Sequence, residues 1–545
     1  MKQLLQELKA KGERLLRPGC VDIAVGVGTC GLGNGAGELL EAIRAHVSSN
    51  RLTMQVRGVG CFGFCANEPL VNVYIPDMPL LILDKVTIDD IPWIFSSIEK
   101  RSFPPDRVLC KITEWDHLGS SFSYGHGFED IPEWNEIDYF KAQKKIVLRH
   151  AGLIDPTSLE EYLAVGGYSA FFKAVWEMDR EEVLAEVKNS KLRGRGGAGF
   201  PTGLKWELMN KNEADKKFLI CNADEGDPGA YMNRNELESD PHMLIEGMLI
   251  GSYAMRTSLG IVYVRAEYPL AVERLKLAVQ QAREVGLLGK EIPNTLFSFD
   301  IEIVEGAGAF VCGEETALIA SVEGRAGRPA MKPPFPAQKG YLGYPTTINN
   351  LETWCNIPVI IGMGSSWFRK TGTAESPGTK VFSLVGKVKN TGLVELPLGE
   401  KLTTLIYEIG GGSSSANKKI KAVQSGGPSG GCIPASKFDT PIDYETLSTM
   451  GAIMGSGGMV VMDQDNCMVD VARYFIEFTH KESCGKCVPC REGLAQELAL
   501  LNGIVQGRGQ EKDLLLMKEL GLNICDTAVC GLGQSAPNPV LTTLT

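Results

Sequence analysis

Cys484, Cys487 and Cys490 stand three apart in the stretch E-S-C-G-K-C-V-P-C-R-E-G (482–493), and a fourth cysteine, Cys530, lies in D-T-A-V-C-G-L-G-Q (526–534). Thiolates are soft ligands, and two-residue gaps let one short loop wrap three corners of an iron–sulfur cubane. A remote cysteine then closes the fourth corner and ties two segments together. Structural zinc is more often held by two C-x2-C pairs than by three cysteines in series plus one. The spacing therefore predicts a [4Fe–4S] cluster rather than zinc. Such a cluster passes one electron at a time, so the rest of the chain should hold whatever supplies that electron.

Upstream lie stretches suited to a nucleotide-like ligand. Leu192 to Trp206 reads L-R-G-R-G-G-A-G-F-P-T-G-L-K-W. Its glycines, with Arg193, Arg195 and Lys205, suit a backbone cradle for phosphate. It matches neither G-x-x-x-x-G-K-[ST] nor a Rossmann G-x-G-x-x-G after a strand. A strand-like run, Phe218 to Cys221, leads into N-A-D-E-G-D-P-G-A-Y-M-N-R (222–234). Parallel sheets place ligands at the carboxyl ends of their strands, where Asn222, Asp224, Glu225 and Asp227 could bond ribityl or ribose hydroxyls. Acidic caps on a helix N-terminus are the alternative for Asp224 and Glu225. Further on, G-A-F-V-C-G-E-E-T-A-L sets Gly313, Glu314 and Glu315 at a helix start, K-P-P-F-P carries Lys332 and Phe335, and T-I-N-N-L-E-T carries Asn349 and Asn350. The tract Q-S-G-G-P-S-G-G-C (424–432) has the glycines of a phosphate loop, but it reads rather as a set of structural turns.

The elements that must position these residues read as an α/β multidomain chain. Residues 1–100 suggest a small α/β unit with helices at Leu4–Leu16 and Glu38–His46, and 101–144 an irregular aromatic linker. Residues 145–375 form the main ligand domain and 376–449 a β-grasp-like module with a helix at Leu402–Ile409. A helical bundle over 450–545 carries the cysteine run, with helices expected at Met468–His480, Gly493–Val505 and Asp513–Leu520. The net charge of -11 argues against nucleic-acid binding. No apolar run is long enough to span a bilayer, and the charged N-terminus lacks a signal-peptide core. A cytoplasmic location is expected, and fifteen cysteines there suggest metal work rather than disulfides.

Taken in order, G-R-G-G-A-G-F-P-T-G-L-K-W, N-A-D-E, C-G-E-E-T-A-L, K-P-P-F-P, N-N-x-E-T and E-S-C-G-K-C-x-P-C-R-E-G resemble the flavin-bearing NADH dehydrogenase subunit of respiratory complex I. They are similar also to the β-subunits of soluble NAD-linked hydrogenases and formate dehydrogenases, and D-E-G-D-P-G-A resembles the electron-bifurcating members most. The resemblance covers roughly 145–542. It implies FMN against Gly194, Arg195, Gly196 and Gly197, with Lys205, Asn222, Asp224, Asn349 and Asn350 around it. It implies NAD(H) stacking near Phe200 and Phe335, with Lys332, Glu225, Asp227, Gly313, Glu314 and Glu315 lining its pocket. Cys484, Cys487, Cys490 and Cys530 would hold the [4Fe–4S] cluster. The implied partners are a small thioredoxin-like [2Fe–2S] subunit and a catalytic redox subunit: a hydrogenase, a formate dehydrogenase or another reductase. Residues 1–100 themselves resemble a thioredoxin-like [2Fe–2S] domain, with Cys61 and Cys65 as its C-x3-C pair. Of its C-x4-C pair only Cys30 stands, Val25 and Gly35 holding the partner positions. Two expectations follow for this unit: a [2Fe–2S] cluster on Cys30, Cys61 and Cys65, or a degenerate docking domain with three spare thiols. NADH delivers electrons in pairs and a cluster accepts one, so a flavin belongs between them. A chain that has lost nucleotide turnover and serves as an electron wire is the alternative.

Overall fold

The computed structural model describes residues 2–118, 121–292, 295 and 297–545. Near the N-terminus, strands β1 (Val21–Gly26), β2 (Met54–Val59), β3 (Val71–Tyr74), β4 (Leu80–Leu83) and β5 (Cys110–Ile112) form a sheet in the order β2-β1-β3-β4-β5. Side chains alternate across a strand, and here both faces are covered. Val71, Val73, Leu81 and Leu83 meet the helices Ala36–Ser49 and Ile91–Lys100 on one face. Tyr74, Leu80 and Ile82 join the large core of the main body on the other. The stretch read as an irregular linker thus contributes β5 to this sheet and a small hairpin, β6 (Glu114–Asp116) with β7 (Ser121–Ser123). Three-residue strands are too short to show a hydrophobic period.

The main body is built on four parallel strands, β8 (Phe218–Ala223), β9 (Leu259–Arg265), β10 (Asp300–Gly306) and β11 (Thr346–Asn350), in the order β10-β9-β8-β11. β8 and β9 read as near-continuous apolar runs, as strands covered on both faces must. The chain steps from β8 through β9 to β10 in one direction, then places β11 on the other side of β8. That reversal opens a crevice at the carboxyl ends of β8 and β11, where open α/β sheets bind ligands.

A third, mixed sheet joins β12 (Thr379–Gly386), β13 (Gly392–Pro397), β14 (Ile420–Ser425), β15 (Cys432–Pro434) and β16 (Gly458–Asp463) in the order β13-β12-β16-β14-β15. The helix expected over Leu402–Ile409 is a π-helical segment, Thr404–Ile409. Beyond β16 the helices Met468–Glu482, Val488–Val505 and Glu511–Thr527 form the C-terminal bundle. The second begins five residues earlier than its apolar pattern suggests. Cys487 is its N-cap and Pro489 sits in its first turn, where a missing N–H costs nothing.

The third sheet is bolted to the main body by a buried ion pair. Lys380 on β12 meets Glu352 at the start of the helix Leu351–Met363, and both side chains are fully buried. Lys380 Nζ also donates to the carbonyl of Val381 at 2.8 Å, and Glu352 Oε1 accepts from Val381 N at 3.0 Å. Breaking one partner of such a pair strands a buried charge. Lys380→Met should therefore destabilise the fold by about 3–5 kcal/mol, read as a lowered urea midpoint.

Candidate functional site

The crevice is a cavity of about 580 Å3. Asn222, Asp224, Glu225 and Asp227 line it from the end of β8, Gly196 and Gly197 from the glycine loop, Asn350 from the end of β11, and Gly313 and Glu314 from the helix start after β10. The glycines are needed here. Gly197 has φ +134°, and a Cβ on Gly196 would stand 3.0 Å from that of Asn350.

Asp224 is the cavity-lining acid left without a hydrogen-bond partner. Both its carboxylate oxygens are buried without a hydrogen-bond partner. Arg265 Nη1 is 3.9 Å away, but that guanidinium is bonded to Glu267. Burial pushes the Asp224 carboxyl up to about 7 against the pull of Arg265. Buried acceptors are normally satisfied, so two unpartnered ones on a cavity-lining residue are an unmet hydrogen-bonding demand at the edge of the site. Glu225 is already committed. It accepts from the backbone N–H groups of Asn233 and Arg234 at 3.0 and 3.2 Å, capping the helix Met232–Ser239. Asp227 is bonded to the Ser456 hydroxyl. Burial pushes both carboxyls up to about 6. Asn222 Nδ2 donates to the Gly313 carbonyl at 2.9 Å, and Asn350 Nδ2 to Asn233 Oδ1 at 2.8 Å.

Several expected residues stand outside the cavity lining. Arg195 is fully buried, and its guanidinium is spent on the carbonyls of Thr379, Pro377 and Arg193 at 2.8–3.0 Å. Gly194 offers its carbonyl to Tyr444 Oη at 2.9 Å, and Asn349 Oδ1 accepts from Trp206 Nε1 at 2.9 Å. Lys205 and Lys332 converge on Glu315 at 3.1 and 2.6 Å, with Lys332 also 3.0 Å from Glu314. Burial opposes ionisation of Glu315, but the two lysines hold its carboxyl below the usual range. Phe200 and Phe335 are 47% and 52% exposed.

The cavity also draws on residues that no local pattern marked. Asn233, Tyr444 and Gly455–Ser456 line it, with Gly426 and Ser429 from the tract read as structural turns. Gly531, Leu532, Gln534 and Ser535 close it from the C-terminal bundle. Their positions follow Cys530 directly, and that adjacency is the only signal the sequence held.

The four expected cysteines come together. Cys484, Cys487, Cys490 and Cys530 line one small pocket with Ser483, Lys486 and Pro329. The Leu532 and Gly533 N–H groups point at the Cys530 sulfur, and Ser483 Oγ lies 3.1 Å from that of Cys490. Burial, with the neighbouring thiols, pushes Cys490 up to about 11. A bound cluster would oppose that rise at Cys490 by supplying positive charge. A Cβ on Gly533 would stand 2.6 Å from that of Ala528 and 3.2 Å from that of Cys490, so glycine allows the close packing here. Four soft donors around one pocket fit a [4Fe–4S] cluster. Val311 and Leu532 line both this pocket and the crevice cavity. The two sites are separated by a wall one side chain thick.

Cys30, Cys61 and Cys65 also gather, with Cys65 near enough to both other thiols to be influenced by each. Cys61 donates to Glu68 Oε1 at 2.8 Å, Tyr231 Oη lies 3.4 Å from the Cys65 sulfur, and Arg234 Nη2 donates to that of Cys30 at 3.6 Å. Contact with Cys65 lowers Cys61, yet burial and Glu68 push it up to about 11; Cys65, lowered by Cys30, is raised by Cys61 and burial to about 12. Val25 is fully buried in the sheet core. Three thiols and a carboxylate do not make the four-cysteine set of a [2Fe–2S] centre.

A switch-point cavity sharing a wall with a four-cysteine pocket defines a flavin and iron–sulfur electron-transfer protein. A family model described as the Nuo51 FMN-binding domain matches residues 187–359, and one described as the NADH-ubiquinone oxidoreductase-F iron–sulfur binding region matches 470–545. An SLBB domain matches 381–433, within the third sheet. The chain is 55% identical over 404 residues to NADP-reducing hydrogenase subunit HndC of Solidesulfovibrio fructosivorans, covering 74% of this chain and 82% of that one. It is 41% identical over 366 residues to the NADH-quinone oxidoreductase-F protein of Escherichia coli, covering 67% and 82%. A crystal structure of NAD+-reducing [NiFe]-hydrogenase in the H2-reduced state superposes with a TM-score of 0.65 at 28% identity, covering 100% of this chain and 88% of that chain. The chain belongs to the NADH-quinone oxidoreductase-F family, the FMN- and [4Fe–4S]-binding components of NADH dehydrogenase modules.

Asp224 makes the stability of the chain sensitive to pH. Its folded-state value of about 7 lies above the ordinary carboxylate value of about 3.9, so the folded chain binds this proton more tightly than the unfolded one. Its contribution is present at low pH and lost as pH rises from about 4 to about 7. In the flavin-free chain, Asp224→Asn should flatten this part of the thermal-midpoint profile, with variant and wild type diverging across that window.

Proposed function

We propose that the chain transfers hydride between NAD(H) and FMN bound in the crevice cavity, and that single electrons then pass through the four-cysteine site to partner subunits. The observation that carries this reading is the shared wall of Val311 and Leu532. When bound, FMN accepts an electron pair and releases it singly. The chain's own task is to hold rings and phosphates in register and exclude water. Asp224 offers acceptors to a ribityl or ribose hydroxyl, Gly196 and Gly197 let the backbone approach closely, and Asn222 and Asn350 fix the floor. Lys205 and Lys332, clustered with Glu314 and Glu315, would frame the nucleotide's entry, with Phe200 and Phe335 beside it as stacking surfaces. Gly194, Arg195 and Asn349 would shape the loop from behind.

The carboxylates of Asp224, Glu225 and Asp227 favour NAD(H), because a 2′-phosphate brought beside them would meet like charge. The name of the 55% identical relative favours NADP instead. The acidic lining is the stronger argument, being a property of this chain. The partners would be a small thioredoxin-like [2Fe–2S] subunit and a catalytic redox subunit such as a hydrogenase or formate dehydrogenase. Division of the electron pair between two acceptors would be set by centres on those partners. Among the described residues no helix is long and apolar enough to cross a membrane, which supports a cytoplasmic setting. The working division is an N-terminal thioredoxin-like unit (1–100), a connecting stretch (101–144), an FMN and NADH domain (145–375), a β-grasp-like module (376–449) and a cluster-bearing helical domain (450–545).

Anaerobic NADH should bleach the flavin of the purified chain, with kcat/KM at least about tenfold above that for NADPH, a preference of about 1.4 kcal/mol. A flavin that NADH leaves oxidised would identify an electron-wire subunit. Cys530→Ala should lower the iron content and block reduction of an external one-electron acceptor while leaving the NADH bleaching in place.

A further inference from the structure

Glu497 is the one acid of the C-terminal bundle buried with both oxygens unanswered among the described residues. It lies on the helix Val488–Val505, whose buried stripe runs Cys490, Gly493, Leu494, Glu497 and Leu501. Glu497 is 0% exposed, and neither Oε1 nor Oε2 has a hydrogen-bond partner. Seven residues after Cys490 is two turns, about 10 Å along the helix axis from that ligand. A buried carboxylate that is always ionised is normally paired, since an unpaired one is costly.

The surroundings offer no pair. The helix Glu511–Thr527 faces it with Gly521, where a Cβ would stand 2.9 Å from Oε1, so the missing side chain makes room for the carboxyl. Met517 and Ile524 are buried on that face, and Cys525, one turn beyond Gly521, is its titratable group. Burial, then Glu497 and Asp526, push the Cys525 thiol up to about 11. Lys518 is exposed. On the helix Met468–Glu482 the charges are spent elsewhere: Arg473 pairs with Asp470 and Glu477, Lys481 pairs with Glu477, and Glu482 accepts from Phe310 N. His480 stands at that helix's end, beside the cysteine loop. Asn538–Thr543, whose neighbours Pro537 and Leu541 touch Gly521, has no titratable side chain. Burial alone pushes Glu497 up to about 8.

We infer that Glu497 is the proton acceptor coupled to the four-cysteine site: its carboxylate takes up one proton from solvent when that site gains one electron. The electron comes from the flavin of the same chain, the proton forms an O–H bond on Glu497, and the local charge is unchanged. An added negative charge two turns away, with protein rather than water between, favours the protonated acid. Where Glu497 is already protonated in both redox states, no coupling remains. Above about pH 8 the oxidised form should hold it ionised and the reduced form should not.

The inference rests on the [4Fe–4S] reading of the four cysteines, and the two fail differently. An iron-free chain would sink that reading, whereas a loaded centre indifferent to pH would sink this one. The test is a potentiometric titration of the whole iron-loaded chain, followed by the cluster's paramagnetic resonance, from about pH 6 to about pH 10. The wild type should show a level midpoint below about pH 8 and a fall above it. The limit is a tenfold change in the reduction equilibrium per pH unit, about 59 mV for one electron. Glu497→Gln should be level throughout, while Cys525→Ser should keep the slope. A level wild-type profile, or a slope that survives in Glu497→Gln, overturns the inference. Should that variant fail to take up iron, the wild type still decides. Its reduced-minus-oxidised infrared spectrum at about pH 9 should gain a carboxylic acid carbonyl band that shifts in D2O, and its absence overturns the proposal.

Discussion

One apolar wall governs this molecule. Val311 and Leu532 line the crevice and the cysteine pocket alike, and the electron transfer proposed above depends on how thin that wall is. Keeping it thin requires the C-terminal bundle to be seated on the mouth of the parallel sheet. Two polar ties fix the seat: Phe310 N donates to Glu482 at 2.8 Å, and Lys486 Nζ to the Pro329 carbonyl at 2.6 Å. Both tie the cysteine loop or its preceding helix to the segment that follows β10. The same docking brings Gly531–Ser535 over the cavity, so one segment both follows Cys530 and closes the crevice.

Charge is distributed by burial more than by residue type. The carboxyls of Asp224, Glu225 and Asp227 are all pushed upward because the crevice removes water from them. Asp224, at about 7, is the one poised between its neutral and charged forms, while Glu225 and Asp227, at about 6, stay largely ionised near pH 7. The cations nearest the glycine loop, by contrast, are consumed by the fold. Arg195 braces the chain before β12, and Arg193 stacks over Tyr444 while pairing with Glu445. Lys380 and Glu352 show the same logic at its extreme, a fully buried pair that locates one sheet against another.

The N-terminal unit is joined to this machinery through the helix Met232–Ser239. Glu225 caps that helix from the cavity side, while Tyr231 and Arg234 reach the thiols of Cys65 and Cys30 on the other. Thr29 donates to Glu238 through both its backbone N–H and its hydroxyl. The three thiols therefore occupy an interface rather than the interior of the N-terminal sheet, and Glu68, which accepts from Cys61, completes their surroundings.

The primary structure was sufficient for the features set by local spacing. These are the three cysteines in series, the strand run from Phe218 that leads into Asn222, the apolar periods of the bundle helices, and the family those stretches belong to. Short-range geometry settles such features, so residue type and interval are enough. Which charged groups would face a ligand was decided by packing. Arg195 and Lys205 carry the charge a phosphate wants, yet one is turned into the third sheet and the other into Glu315. Asp224 and Glu225 are adjacent and alike in type, but one is left buried without a partner while the other caps a helix. The thickness of the wall at Val311 and Leu532 joins residues more than two hundred positions apart. Contacts of that range come from the docking of whole elements, which local residue spacing does not encode.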